Sequence, residues 1–486
     1  MSTTVPQVKT RSGPDSGSHD DLLQVFERQR QTFASSPSPP LDVRLQSLDR
    51  LAQAIGENAP ALASAISTDF GNRSAHETYL LELVPLQNAI RHAKRHLRRW
   101  MRPERRRVAV TSQPGAAWVQ YQPLGVVGIV SPWNYPLSLA LIPVVDALAA
   151  GNRVLLKLPE LTPSFSALLQ RVLSETFPRE EVAAIVGDVE VGERFVRLPL
   201  NHLLFTGSTA TGRKVLAAAA ERLTPVTLEL GGKSPVIICP DYDPVRAARD
   251  ITFAKLATAG QTCIAPDYAL APAARLRAIA AAILAEARRL YPSVAANPDC
   301  TSIISDRHVN RLQNAIEEAR LGGAEILGGG DVGSGRQMGL SIVLDPPLTC
   351  ALMRDEIFGP VLPLVPYNTL EDAIALVNGM EKPLALYCLT HERASREAVL
   401  GRTVSGGVTV NGALLHQAQD DLPFGGVGPS GIGSYHGRAG FLRFSHARGV
   451  YQVRGLNALH FLAPPYGKLA RLVIRIFGSR QASDSC

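Results

Sequence analysis

The sequence predicts an α/β fold organised around parallel sheets, and three observations carry that prediction. Short continuous apolar runs, Val126–Val130, Val154–Leu156, Leu203–Phe205 and Val236–Cys239, alternate with stretches of helical period. Runs of that length separated by helices are βαβ units. The chain has 486 residues, more than the roughly 250–300 that one hydrophobic core serves, so several sheet-centred units are expected. A composition that is 45% hydrophobic and 19% charged is that of an ordinary globular protein and excludes fibrous and disordered classes.

Taken in order, residues 1–20 are rich in Ser, Thr, Gly and Pro without periodicity, and a disordered tail is expected there. From Asp21 to Arg99 the period is helical, as in Leu48, Leu51, Ile55 and in Leu80, Leu83, Leu86, Ile90, until Pro103 ends the region. Val108–Val110 and Ala117–Tyr121 flank Pro114-Gly115, a hairpin signal. Helices are expected at Leu137–Ala150, Ser164–Phe177 and Thr209–Glu221 between the apolar runs. A second α/β series occupies Ser234 to Val410, and the tail past Pro423 is Gly-rich, then extended.

The formal net charge is +7, much of it in Arg91, Lys94, Arg95, Arg98, Arg99, Arg102, Arg105, Arg106 and Arg107. No nucleic-acid module accompanies this run, so a solvated helix face or an oligomer contact is expected and no nucleic-acid partner. None of the six Cys forms a CxxC pair, and no Cys/His spacing fits a metal site. The N-terminus lacks an apolar signal region and no run reaches the ~20 residues of a bilayer span. A cytoplasmic protein with reduced thiols and no transmembrane segment is therefore expected. Lys468–Arg480 reads as a short basic amphipathic helix, expected to dock on the protein's own surface, with membrane-surface contact the alternative.

Of two GxGxxG strings, Gly328–Gly333 has no helical pattern behind it and in Gly426–Gly431 Pro429 and the following Gly433 argue against a helix start, so both are read as ordinary loops. Phe205-Thr-Gly-Ser-Thr-Ala-Thr-Gly212 does lie between a strand and a helix, where backbone donors and a helix dipole favour phosphate; an ordinary capped turn at Ser208 is the other reading. Lys157 and Glu160 follow an apolar run, at the strand end where α/β sheets bind ligands, or in a plain surface loop. Asn134, between Pro132 and Pro136, offers a fixed amide for an oxyanion or a simple Asx turn. Cys263 in Gly260-Gln-Thr-Cys263 is either a nucleophile, which needs nearby positive potential, or a structural thiol. Glu229 lies within an apolar run: either a general base with a raised pKa, or a partner for a cation such as Lys233.

Their order is more specific than any of them alone. SPWNYP, KLPE, FTGST, LELGGKSP, GQTC, EIFGP and PFGG, in that sequence, resemble the aldehyde dehydrogenase superfamily from Asp21 to Val453. CIAPDY and FGGVGPSGIGSYHGRAGFLRFSH look most like its class 3 branch, and QDDLP is similar to bacterial coniferyl aldehyde dehydrogenases. The resemblance implies a Rossmann-like cofactor domain at 21–107 and 122–229 and an α/β catalytic domain at 230–422. It also implies an oligomerisation element joining 108–121 to 423–460; beyond it, 461–486 is read from its own residues as an amphipathic tail. Cys263 is implied as nucleophile, Asn134 as oxyanion donor and Glu229 as base for the hydrolytic water. Lys157 and Glu160 are implied at the adenosine ribose, Gly207 and Ser208 at the pyrophosphate, Glu356 at the nicotinamide ribose and Phe358 beside the nicotinamide. NAD is the implied cofactor, with NADP left open, and a homodimer the implied assembly. The expected reaction is oxidation of an aldehyde, aromatic such as coniferyl aldehyde or medium-chain, to the acid. Two rivals remain: a CoA-acylating enzyme, against which Glu229 argues, and a catalytically silent NAD-binding protein, against which the joint presence of Cys263, Glu229 and Asn134 argues.

Overall fold

The computed structural model describes residues 19–329, 336–455 and 457–477. Its strands are β1 (Glu104–Arg106), β2 (Gly115–Pro123), β3 (Val126–Val130), β4 (Arg153–Lys157), β5 (Val182–Ile185), β6 (His202–Gly207), β7 (Val226–Leu230) and β8 (Pro235–Ile238). They continue as β9 (Tyr268–Pro272), β10 (Glu325–Gly328), β11 (Ser341–Leu344), β12 (Val361–Tyr367), β13 (Ala385–Leu389), β14 (Gly407–Val410), β15 (Gly431–Ile432) and β16 (Ser445–Val453).

Three sheets result. The first has the order β15-β7-β6-β3-β4-β5. Its five longer strands are parallel and β15 pairs antiparallel to β7. The chain begins this sheet in the middle, at β3, and runs outward first to β4 and β5, then back to β6 and β7. The gap between the ends of β3 and β6 is thus a topological switch point, where open α/β sheets bind ligands. The second sheet has the order β10-β11-β12-β9-β8-β13-β14, parallel except for β10. The third joins β1, β2 and β16, all antiparallel.

Burial explains why the apolar runs form these strands. Val127, Ile129, Val154, Leu155, Leu156, Leu203 and Leu204 are fully enclosed, since helices cover both faces. The helix Ser138–Ala150 is apolar all round, and every one of its residues is buried. The helix Val84–Trp100 is instead amphipathic. Leu86, Ile90, Ala93, Leu97 and Trp100 face inward, and its basic residues lie on the outer face. Lys94 pairs there with Asp49, and Arg106 and Arg438 pair with Glu104.

Four expectations need correction. The hairpin exists, but its first strand is Glu104–Arg106, and Val110–Ser112 is a helical turn. Gly431 and Ile432 extend the first sheet instead of joining β2. His19 and Asp20 already belong to the helix His19–Ser35; residues 1–18 lie outside the described residues. The C-terminal helix Lys468–Phe477 does not dock its apolar side: only Ala470 is buried, and Leu469, Leu472, Ile476 and Phe477 are exposed. No helix among the described residues is long and apolar enough to cross a membrane.

Candidate active site

At the switch point the structure opens a cavity of about 1030 Å³. The loop after β3 contributes Trp133 and Asn134 to its wall, and the end of β6 contributes Thr206, Gly207 and Ser208. Glu229 projects from β7, while Cys263, Glu356 and Phe358 enter from the second sheet's side. Seven of the nine residues singled out from sequence therefore share one cavity. Lys157 and Glu160 lie outside its wall, at the end of β4, with Lys157 Nζ 3.7 Å from Glu160 Oε2. Lys157 is buried and donates to its neighbour's carbonyl, Leu158, at 2.7 Å, while Glu160 is exposed.

The thiol loop is shaped by backbone. Helix Pro244–Leu256 ends, and Thr258, Ala259 and Gly260 follow with φ of 51°, 53° and 74°. Gly260 is required there, because a Cβ would stand 2.4 Å from the Gly359 carbonyl oxygen. Asn134, buried, donates from its amide to the Gln261 carbonyl at 3.0 Å, tying the β3 loop to the thiol loop. An Asx turn does not form; the amide is directed at the neighbourhood of Cys263.

Electrostatics differ from what a nucleophilic thiol was expected to need. Burial, then the carboxyls of Glu356 and Glu229, push the Cys263 thiol up to about 12. Burial is the larger cause, and it keeps the thiol neutral in this state. Glu229 does not pair with Lys233, which is held by Asp267. Neither carboxyl oxygen of Glu229 has a hydrogen-bond partner, and burial holds its pKa well above the ordinary carboxyl range. Burial also raises Glu356 to about 8, with Asp267 adding to it. Ser208 caps the helix Thr209–Ala220, accepting from Thr211 N–H at 3.3 Å, so the capped turn is observed, and the same turn lines the cavity.

Several cavity features suit a dinucleotide. The open crevice ends on the N-terminus of the Thr209–Ala220 helix, which favours phosphate. Glu356 keeps one buried oxygen unpartnered, available to a hydroxyl. Gly231 leaves the space its carboxyl fills, since a Cβ at 231 would overlap it. Phe358, with φ of 49°, stands edge-on to Trp133 at 5.4 Å and forms a flat wall.

Sequence reasoning did not find Arg73, Glu77, Glu82, Tyr435 and Arg311. Tyr435 and Arg311 line the cavity. The other three lie behind it, brought to the site from the N-terminal helices. Burial of charged residues in a helical region would have been their signal, and a sequence does not display burial.

Comparison with known proteins agrees with this architecture. The model of the aldehyde dehydrogenase family matches residues 11–450. A probable coniferyl aldehyde dehydrogenase of Pseudomonas aeruginosa is 46% identical over 94% of this chain and 96% of its own length. The structure of a substrate-bound Staphylococcus aureus AldH superposes with a TM-score of 0.89 at 32% identity, covering 94% of this chain and 99% of that one. A Mycobacterium tuberculosis aldehyde dehydrogenase complexed with NAD+ gives a TM-score of 0.81 at 27% identity over 90% of each chain. The chain belongs to the aldehyde dehydrogenase family. It is an NAD(P)-dependent enzyme that oxidises an aldehyde to the carboxylic acid.

Proposed function

We propose that Cys263, Asn134 and Glu229 carry this oxidation, and that its substrate is an aromatic aldehyde of the coniferyl type. The observation that carries the roles is the enclosure of all three side chains around one cavity, with Glu229 unpartnered. The Cys263 sulfur bonds to the aldehyde carbon as the C=O π bond breaks, the thiol proton passes to solvent, and a thiohemiacetal oxyanion results. The Asn134 amide and the Cys263 backbone N–H are the donors for that oxygen. NAD(P), when bound, would supply the two-electron acceptor that this oxidation needs. The thioester that remains on Cys263 is attacked by water. Glu229, once ionised, accepts the water's proton and returns it to the leaving sulfur, and the acid leaves as the thiol is restored.

Glu356, Phe358, Gly207 and Ser208 are the residues that would hold the cofactor, with Lys157 and Glu160 at its outer end. A carboxylate at Glu160 favours NAD, by accepting from a ribose hydroxyl and repelling a 2′-phosphate. Residues 21–107 and 122–229 serve as the cofactor domain, 230–422 as the catalytic domain, and the β1-β2-β16 sheet as the contact of a homodimer. All five described cysteines are free thiols, in keeping with a cytoplasmic protein. The substrate class rests on the likeness to the Pseudomonas aeruginosa protein and on an apolar wall of Leu139, Phe424 and Tyr435.

The test is NADH formation, followed by absorbance, with coniferyl aldehyde and with short aliphatic aldehydes. A higher kcat/KM for coniferyl aldehyde is expected, with loss of turnover in Cys263→Ala. A much higher kcat/KM for the short aldehydes would overturn the substrate class, and turnover persisting in Cys263→Ala would overturn the nucleophile.

A further inference from the structure

Arg73, Glu77 and Glu82 are three ionisable side chains that the chemistry above leaves unused. Arg73 and Glu82 form an ion pair, Nη2 to Oε1 at 3.1 Å, with both side chains wholly enclosed. Arg73 Nη1 also donates to the Asn134 carbonyl oxygen at 2.7 Å, and its guanidinium lies 5.0 Å over the Tyr135 ring. Glu82 Oε2 accepts from the N–H groups of Leu137 at 2.8 Å and Ser138 at 3.1 Å. One ion pair thus grips both ends of the Asn134–Ser138 loop.

Glu77 reaches the other loop. Its Oε1 accepts from Thr258 N–H at 2.9 Å, at the first of the three left-handed residues before Cys263. The Tyr135 hydroxyl closes the frame, lying 3.0 Å from Thr258 Oγ1 and 2.7 Å from Thr262 Oγ1. Glu82 itself stands on a π-helical turn, Tyr79–Leu83. Such turns are rare and recur at functional sites.

Stability alone does not account for this arrangement. Apolar residues of similar volume commonly replace a buried ion pair without loss, because desolvation offsets the attraction. What the pair provides is a fixed geometry. We propose that Arg73 and Glu82 are positioning residues for the oxyanion donor: they hold Asn134 against the thiol loop and so set the rate of addition at Cys263. This rests on the assignment of Asn134 made above.

The experiment places Arg73→Met with Glu82→Gln in two backgrounds, native and Asn134→Ala. Gln keeps an acceptor for the Leu137 and Ser138 N–H groups, and Met fills the guanidinium's space without charge. In the native background kcat should fall about tenfold or more, part of the 10²–10³ that one oxyanion donor provides. KM for NAD and the far-UV spectrum should not change. With Asn134→Ala the same pair of substitutions should cost nothing further. An equal loss in both backgrounds, or full activity in the native one, overturns the proposal. If Asn134→Ala alone leaves kcat intact, the assignment of Asn134 fails instead, which is a separate result. Should the double variant not fold, Arg73→Lys decides in the same two backgrounds. It keeps the charge but loses the planar fork, and is expected to lower kcat several-fold only where Asn134 is present.

Discussion

At the residue scale, the groups assigned to catalysis are held in their less reactive forms. Burial keeps Cys263 a neutral thiol and pushes the Glu229 carboxyl well above the ordinary range, toward its neutral form. Glu229 is therefore a cost to the fold that only function explains. As its folded pKa is raised, the stability of its neutral form is fully present below the unfolded value of 4.5 and is lost as pH rises through the folded value. Glu229→Gln should raise stability at neutral pH by about 1 kcal/mol, or about 1–2 °C in Tm, with a smaller gain at pH 4. Thermal scans at the two pH values check this; a fall in Tm at neutral pH would contradict it. The same raised pKa means that thioester hydrolysis should quicken with pH well above the ordinary carboxyl range. That limb of the kcat profile should vanish in Glu229→Gln.

Cys263, Glu229 and Asn134 could be singled out in the sequence because each sits in a short motif, and the motifs follow a fixed order. Arg73, Glu77 and Glu82 were not. Their meaning comes from contacts with residues 134–138 and 258, far along the chain, and nothing local sets them apart from a solvated helix face.

At the element scale, most strands and helices fell where period and punctuation placed them, as with β3 and the helix after it. The hairpin did not. Pro114-Gly115 marks a boundary, but strand limits are set by partners, and β2 pairs along its whole length with β16, more than 300 residues later. No local signal carries that. The thiol loop makes the opposite case, a local constraint with a global effect. Gly260→Ala should clash with Gly359 and strain a positive φ, displacing Cys263. We expect activity to fall at least about tenfold, as misplacement of a reacting group by ~1 Å commonly costs more. Full kcat with unchanged thiol alkylation kinetics would contradict it.

At the scale of the whole molecule, residues carried by two mostly parallel sheets line one cavity, and each sheet supplies part of the chemistry. The first sheet contributes Glu229 and the Asn134 loop; the second side contributes Cys263 and Glu356. The exposed β16, with Tyr451 and Val453 open to solvent, supports the homodimer reading. Sedimentation at micromolar concentration should give twice the 52.2 kDa chain mass, and a monomer at every concentration would contradict the assembly. The architecture was legible as alternating runs; the unpartnered side of the C-terminal helix was not, since amphipathicity gives a face but not its neighbour.

The central claim is the covalent intermediate on Cys263, and trapping it is the most direct test. Glu229→Gln, mixed with NAD and coniferyl aldehyde, should release about one equivalent of NADH per active site and then stall. Peptide mass analysis should find the acyl group on Cys263. Steady turnover with no adduct, or an acyl group on another cysteine, would contradict the account.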